Sequence, residues 1–355
     1  MIPDKGSDHF RQAAAAVRPI DPAVAEQARL RQDDLAKPIG SLGRLERLGC
    51  RLAAIAGDIR PPSPDPAAAV LAAADHGVVA AGVTPWPQAV TGLMVKTIVA
   101  GQAASRVLAR SVGAELIVVD VGLVEPLPDL DEVLDRRVAA GSANLAEGPA
   151  LRPEQVSRAL DYGAALAAEL VAAGYRCLIT GEMGIGNTTP AAAVIAALTG
   201  LPAAAVTGRG TGVDDEVLAH KVAVVEKAVT RLDPAAAAET VLAEVGGLEI
   251  AFLAGLAVGG AAAGVPVVLD GVITLAAALV AARLVPNAVG YWIAGHLPVE
   301  PGGRAVLADL GLEAVLDLEL RLGEGTGALL ALPLVRAAAA IQAEMATLAE
   351  ALGAG

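Results

Sequence analysis

Between an apolar run ending in YRCLIT and another starting PAAAVIAAL stands GEMGIGNTT, Gly181 to Thr189. Gly181, Gly184 and Gly186 permit positive φ and close backbone approach, while Asn187, Thr188 and Thr189 can cap a following helix and offer side-chain donors. Such a loop at a helix start can enclose a phosphate with backbone N–H groups. No lysine follows the second glycine block as in a P-loop, and the dinucleotide fingerprint G-x-G-x-x-G is not matched. On pattern alone, a phosphate cradle and a plain strand-to-helix turn stand level.

Three further segments carry groups that could do chemistry. GRGTGVDDE, Gly208 to Glu216, is followed by Lys221, one of only 5 lysines against 21 arginines. Lys221 could reach a phosphate or sugar, or simply snorkel from a helix. Asp214 and Asp215 could suggest magnesium, but first-turn acids favoured by the helix dipole explain them more simply. In RLGEGTGALLALPLV, Glu324 lies between two glycines before an apolar helix. It can serve as a general base or merely stabilise the helix start; its helix dipole favours the carboxylate, so a basic role needs desolvation by a bound ligand. Trp86, between Pro85 and Pro87, and the nearby Gln88 suit a flat heteroaromatic ligand and equally an exposed rigid loop. The four histidines, His9, His76, His220 and His296, form no metal-ligand spacing with one another or with Cys50 and Cys177.

The elements that must position these groups alternate. From Ala68 onward short apolar runs alternate with Ala-rich helical stretches, the pattern of a parallel sheet covered by helices on both faces. Expected strands are Ala68 to Asp75, Ala114 to Gly122, Tyr175 to Glu182, Ala203 to Gly208, Pro266 to Gly271 and Ala288 to His296. Their endings are polar or glycine-containing, which gathers function on one edge, where open α/β sheets bind ligands. Residues Val24 to Ile59 are expected to be helical with a turn at KPIGSLGRLE, Lys37 to Glu46, before the break PPSPDP. Ala328 to Ala351 is again helical and could pack with them.

At 355 residues the chain accommodates one large core and an accessory piece. A net charge of −13 without a basic cluster argues against nucleic acid and anionic membranes as partners. Two cysteines in unrelated contexts and a first dozen residues without an apolar stretch point to a reduced, cytoplasmic protein. Ile250 to Leu269 is uncharged over a span-like length, yet its glycines, Pro266 and acidic flanks favour a buried helix followed by a buried strand over a membrane span. The same reading applies to Pro190 to Gly208.

Taken together, KPIGSLGRLE, ADHGV with its downstream Gln, GEMGIGNTT, GRGTG with the HK pair, GGLEIAFLAG, PVVLDG, GHLPVEPGG and LGLEAVLDLELRLGEGTGA resemble the nicotinate-nucleotide–dimethylbenzimidazole phosphoribosyltransferase family over nearly the whole chain. The resemblance implies transfer of phosphoribose from nicotinate mononucleotide to 5,6-dimethylbenzimidazole, giving α-ribazole 5′-phosphate and nicotinate in cobalamin biosynthesis. It implies a pentosyltransferase that needs no cofactor or metal and is a homodimer. It implies a Rossmann-like α/β domain, 63–329, with a small helical domain from both chain ends, 1–62 with 330–355. Glu324 matches the position of the base. Gly184, Gly186, Asn187 and Thr188 would hold the 5′-phosphate with help from Lys221, and Glu182 would lie near the ribose. Gln88 and Leu322 would border the benzimidazole, and Asp270 would lie close to the reaction centre. Two rival classes remain at this point. A Rossmann oxidoreductase is disfavoured by the missing fingerprint, and a non-catalytic binder is separable by mutating Glu324.

Overall fold

The structure is a computed structural model and describes residues 8–127 and 130–353. The outermost residues of the expected helical domain, 1–7 and 354–355, lie outside the described residues.

Among the described residues seven parallel strands form one sheet: β1 (Ala67–Ala74), β2 (Glu115–Gly122), β3 (Val133–Asp135), β4 (Cys177–Met183), β5 (Val267–Leu269), β6 (Trp292–His296) and β7 (Ala314–Leu316). Their order is β3-β2-β1-β4-β5-β6-β7, with β1 paired to β2 and β4, Val70 opposite Ile117 on one side and Thr180 on the other. The order reverses between β1 and β4, the switch point at which such sheets open a crevice.

Alternation along the strands divides the interior in two. Ala68, Val70, Ala72 and Ala74 pack with Leu160, Phe252 and Leu256 from the helices Pro153–Ala172 and Leu248–Ala262. Ala67, Ala69, Leu71 and Ala73 face the opposite layer, with Val95, Ile98, Leu329 and Val335. Both faces are therefore covered, and β1 is buried throughout.

Four strands fall where the sequence places them, and β6 is shorter than expected. Residues Pro286–Tyr291 wind into a 3-10 turn, started by proline, so that strand pairing begins only at Trp292. Ala203 to Gly208 is not a strand: Ala203–Val206 is a short helix. Pro202 sets its entry and three consecutive alanines, the best helix formers, continue it. The two edge strands β3 and β7 were not expected, since three residues are too few to show an alternating pattern.

The uncharged stretch from Ile250 onward divides as expected into the Leu248–Ala262 helix and β5, both buried. Among the described residues one helix, Thr326–Glu344, is long and apolar enough to cross a membrane. It packs instead against the sheet and the Arg44–Ala56 helix, with Ala328, Leu329, Ala331, Leu332 and Val335 buried.

That helix also joins the chain ends. Arg31, on the helix Pro22–Asp34, donates from Nε to Gln342 O and from Nη2 to Met345 O, both at 2.9 Å. Gln32 Nε2 donates to Gln342 Oε1 at 2.6 Å. The first described helix, His9–Ala16, lies elsewhere, against Pro153–Ala172 and Leu248–Ala262.

Candidate active site

A cleft enclosing about 870 Å³, its open mouth included, sits beyond the carboxyl ends of the strands. Segments following β1, β4, β5, β6 and β7 line it, together with the Gly208–Val213 region and Lys221. Of the residues singled out by sequence, Glu182, Gly184, Gly186, Asn187, Thr188, Lys221, Leu322 and Glu324 all line this one cleft. Gln88 is half-buried and Asp270 buried, and neither lines it.

The GEMGIGNTT loop connects β4 to the helix Thr188–Thr199. Only Gly186 among its glycines uses positive φ, at +85°, whereas Gly184 is needed for close approach, because a Cβ there would meet Ala74 O at 2.5 Å. Asn187 occupies the helix N-cap position but caps nothing with its side chain. Its Nδ2 donates to Glu182 Oε2, and Thr188 Oγ1 accepts from Lys221 Nζ at 2.6 Å. These two side chains thus bond to strand β4 and to the helix Asp215–Val229 rather than to their own helix end.

Lys221 does not snorkel. It is 1% exposed and also donates to Gly208 O at 3.1 Å, so it bridges two cleft loops. Burial pulls its ammonium down to about 8, against the opposing charge of Glu300. Glu300 accepts from Gly210 N at 2.8 Å and steadies the same loop. Asp214 caps the helix Asp215–Val229 through Val217 N, and Asp215 pairs with Arg209, so both acids are accounted for structurally.

Glu182 is 5% exposed. Burial raises its carboxyl to about 8, helped by the charges of Asp270, Glu249 and Glu324 and opposed by the Asn187 hydrogen bond. The shift favours the protonated form, in which the group is a donor as well as an acceptor.

Glu324 sits in the left-handed region, φ 58°, flanked by Gly323 at +85° and Gly325 at +75°. Its carboxylate does not serve its own helix. The start of Thr326–Glu344 is held by Asp270, whose Oδ1 accepts from Gly327 N at 2.8 Å and Ala328 N at 3.0 Å, and whose Oδ2 accepts from Gly325 N at 3.1 Å. Burial pushes Asp270 up, while His296, 3.6 Å away, and the backbone N–H groups of Ala328, Gly271 and Gly327 oppose the rise. Glu324 Oε2 instead accepts from Ser105 Oγ at 2.9 Å.

Sequence reasoning did not single out Ser105, His296, Glu300, Arg209 or Arg321 as site residues. The last four line the cleft, and Arg209, His296 and Glu300 stood in motifs recognised only as loop or strand endings. Ser105 carried no signal at all. The strand-end residues Asp75 and Asp120 turn out to hold the Leu123–Val124 turn, accepting from Val124 N and Leu123 N at 2.8 Å each.

A family model described as phosphoribosyltransferase, DBI_PRT, matches residues 17–352. The chain belongs to that family. It is 52% identical to a nicotinate-nucleotide–dimethylbenzimidazole phosphoribosyltransferase of Chloroflexus aggregans, over 94% of this chain and 95% of the relative. The protein of that description from Thermus thermophilus is 50% identical, over 94% and 98%. A crystal structure of CobT from Thermus thermophilus superposes with a TM-score of 0.90 at 50% identity, covering 93% of this chain and 98% of that one.

Proposed function

We propose that the chain transfers the phosphoribosyl group of nicotinate mononucleotide to 5,6-dimethylbenzimidazole, releasing nicotinate and forming α-ribazole 5′-phosphate for cobalamin assembly. The observation carrying this reading is the placement of the Glu324 carboxylate in the same cleft as the Gly184–Thr188 loop and Lys221. The relatives described above, at 52% and 50% identity, bear the name of that reaction.

Gly184, Gly186, Asn187, Thr188 and Lys221 hold the 5′-phosphate, combining loop N–H groups with a buried ammonium. Protonated Glu182 lies toward the ribose and can hydrogen-bond to its hydroxyls. Leu322, exposed at the cleft mouth, borders the acceptor; Gln88 is assigned to the same acceptor from outside the cleft lining, four residues beyond cleft-lining Thr84, and Asp270 acts by locking the turn that carries Glu324. Nicotinate departs from a pyridinium, so the C1′–N bond breaks with its electron pair going to the ring nitrogen and no acid is required. The lone-pair nitrogen of the benzimidazole forms the new bond to C1′, and the proton on its other nitrogen passes to Glu324 as general base. A direct displacement inverts the anomeric carbon, turning a β-nucleotide into an α-product.

The reading also includes a homodimer and a cytoplasmic setting, the latter supported by Cys50 and Cys177, both free thiols. It assigns 63–329 to a catalytic α/β domain and 1–62 with 330–355 to a small helical one, supported by the Arg31 and Gln32 contacts to Gln342. Incubating the protein with nicotinate mononucleotide and dimethylbenzimidazole tests it. Mass spectrometry is expected to show nicotinate and α-ribazole 5′-phosphate, with NMR giving an α-anomer. Acceptor-independent nicotinate release, or retention at C1′, would sink the mechanism.

A further inference from the structure

The Asp270 clamp fixes the backbone of Glu324 but not its carboxylate, because a glutamate retains three rotatable side-chain bonds beyond Cα. A base must be aimed as well as present. The group that aims it comes from a different part of the chain, 219 positions away in sequence.

Ser105 stands in the first turn of the helix Ala104–Val112, whose N-cap residue, Ala103, makes no side-chain cap. Ser105 is completely buried and its Oγ is 2.9 Å from Glu324 Oε2, with its backbone N at 3.5 Å from the same oxygen. An ionised carboxylate only accepts, so the serine hydroxyl is the donor. Glu324 Oε1 has no hydrogen-bond partner among the described residues. The neighbouring carboxyl in the cleft, Glu182, is engaged by Asn187 and does not compete for the serine.

Building on the assignment of Glu324 as base, we propose that Ser105 is a positioning residue: its hydroxyl holds Glu324 Oε2 and leaves Oε1 free to take the acceptor's proton. In that step the ring N–H bond breaks, its electron pair stays on nitrogen, and an O–H bond forms at Oε1. Ser105 remains a donor throughout and touches no substrate.

The test is a double-mutant cycle on the purified full-length protein. Ser105→Ala removes one atom from a helix position that alanine suits. It is expected to lower kcat about tenfold, the order expected for one hydrogen bond to a charged group. KM for both substrates should change less than about twofold, and the thermal midpoint should stay within about 2 °C. In the Glu324→Gln background, the added Ser105→Ala change is expected to cause no further loss. Equal fold losses in both backgrounds would show that Ser105 acts independently of Glu324 and would overturn the proposal. So would parental kcat in Ser105→Ala alongside an impaired Glu324→Gln. Parental kcat in Glu324→Gln alone overturns the base assignment instead, a separate result that needs no Ser105 variant.

Discussion

Lys221 Nζ donates to Thr188 Oγ1 across 2.6 Å, tying the helix after GRGTG to the first residue of the helix after GEMGIGNTT. Two loops distant in sequence thereby present one cation and one set of backbone donors to a shared space. Lys221→Met keeps the buried stem and deletes the charge. It is expected to raise KM for nicotinate mononucleotide about tenfold or more, with a smaller change in kcat, as steady-state kinetics would show. Because burial lowers the ammonium to about 8, the parental protein should bind the donor less well as pH rises through that value. Parental KM values flat from neutral pH well into the alkaline range would contradict the assignment.

The raised carboxyl of Glu182 predicts a pH-dependent stability. Its folded value, about 8, exceeds the unfolded one of 4.5, so the contribution is present below 4.5 and disappears as pH climbs through 8. Glu182→Gln removes this titration while preserving shape. The variant should gain on the parent in thermal midpoint between mildly acidic and alkaline pH, by about 2 °C per pH unit at most. Parallel melting curves across that range would count against a protonated Glu182.

Glu324 is a non-glycine residue at φ 58°, a conformation that costs an ordinary side chain about 1 kcal/mol. Glu324→Gly and Glu324→Ala both lose the Ser105 hydrogen bond, and only glycine relieves the left-handed backbone, so the glycine variant is expected to be more stable than the alanine variant by about 0.5–1 kcal/mol in chemical denaturation. Strain held where chemistry occurs is the relation under test. A glycine variant no more stable than the alanine variant would refute it.

Gly163 packs directly on the Phe252 carbonyl where two long helices cross, and Gly255 meets Leu160 O in the same contact. A methyl at 163 collides with backbone rather than with a movable side chain. Gly163→Ala should destabilise the fold by about 3 kcal/mol or more, despite its better helix propensity, as judged by chemical denaturation.

Most of the architecture is legible in the chain because burial on both faces demands it. β1 and β5 are continuous apolar runs followed by an acid, β2 and β4 are apolar runs that reach glycine and acid toward their ends, and their helices are long alanine-rich stretches between. The expectation failed at Ala203–Val206, where helix propensity overrode a strand-like length, and it missed β3 and β7, whose pairing comes from neighbours rather than from their own three residues. Glycine-flanked loops after strands likewise mark the cleft, since ligands bind where strands end and backbone must approach closely.

By itself, then, the sequence determined which residues stand out as candidates for the chemistry: the GEMGIGNTT loop, Lys221 and Glu324 are conspicuous by type and local setting. Their partners are another matter. That Lys221 is buried on Thr188, that Asp270 rather than Glu324 holds the last long helix, and that Ser105 grips Glu324 were decided only by tertiary structure. The reason is physical: hydrogen bonds between side chains depend on distances of a few ångströms across segments up to 310 positions apart, and no local pattern of hydropathy or propensity encodes such a distance.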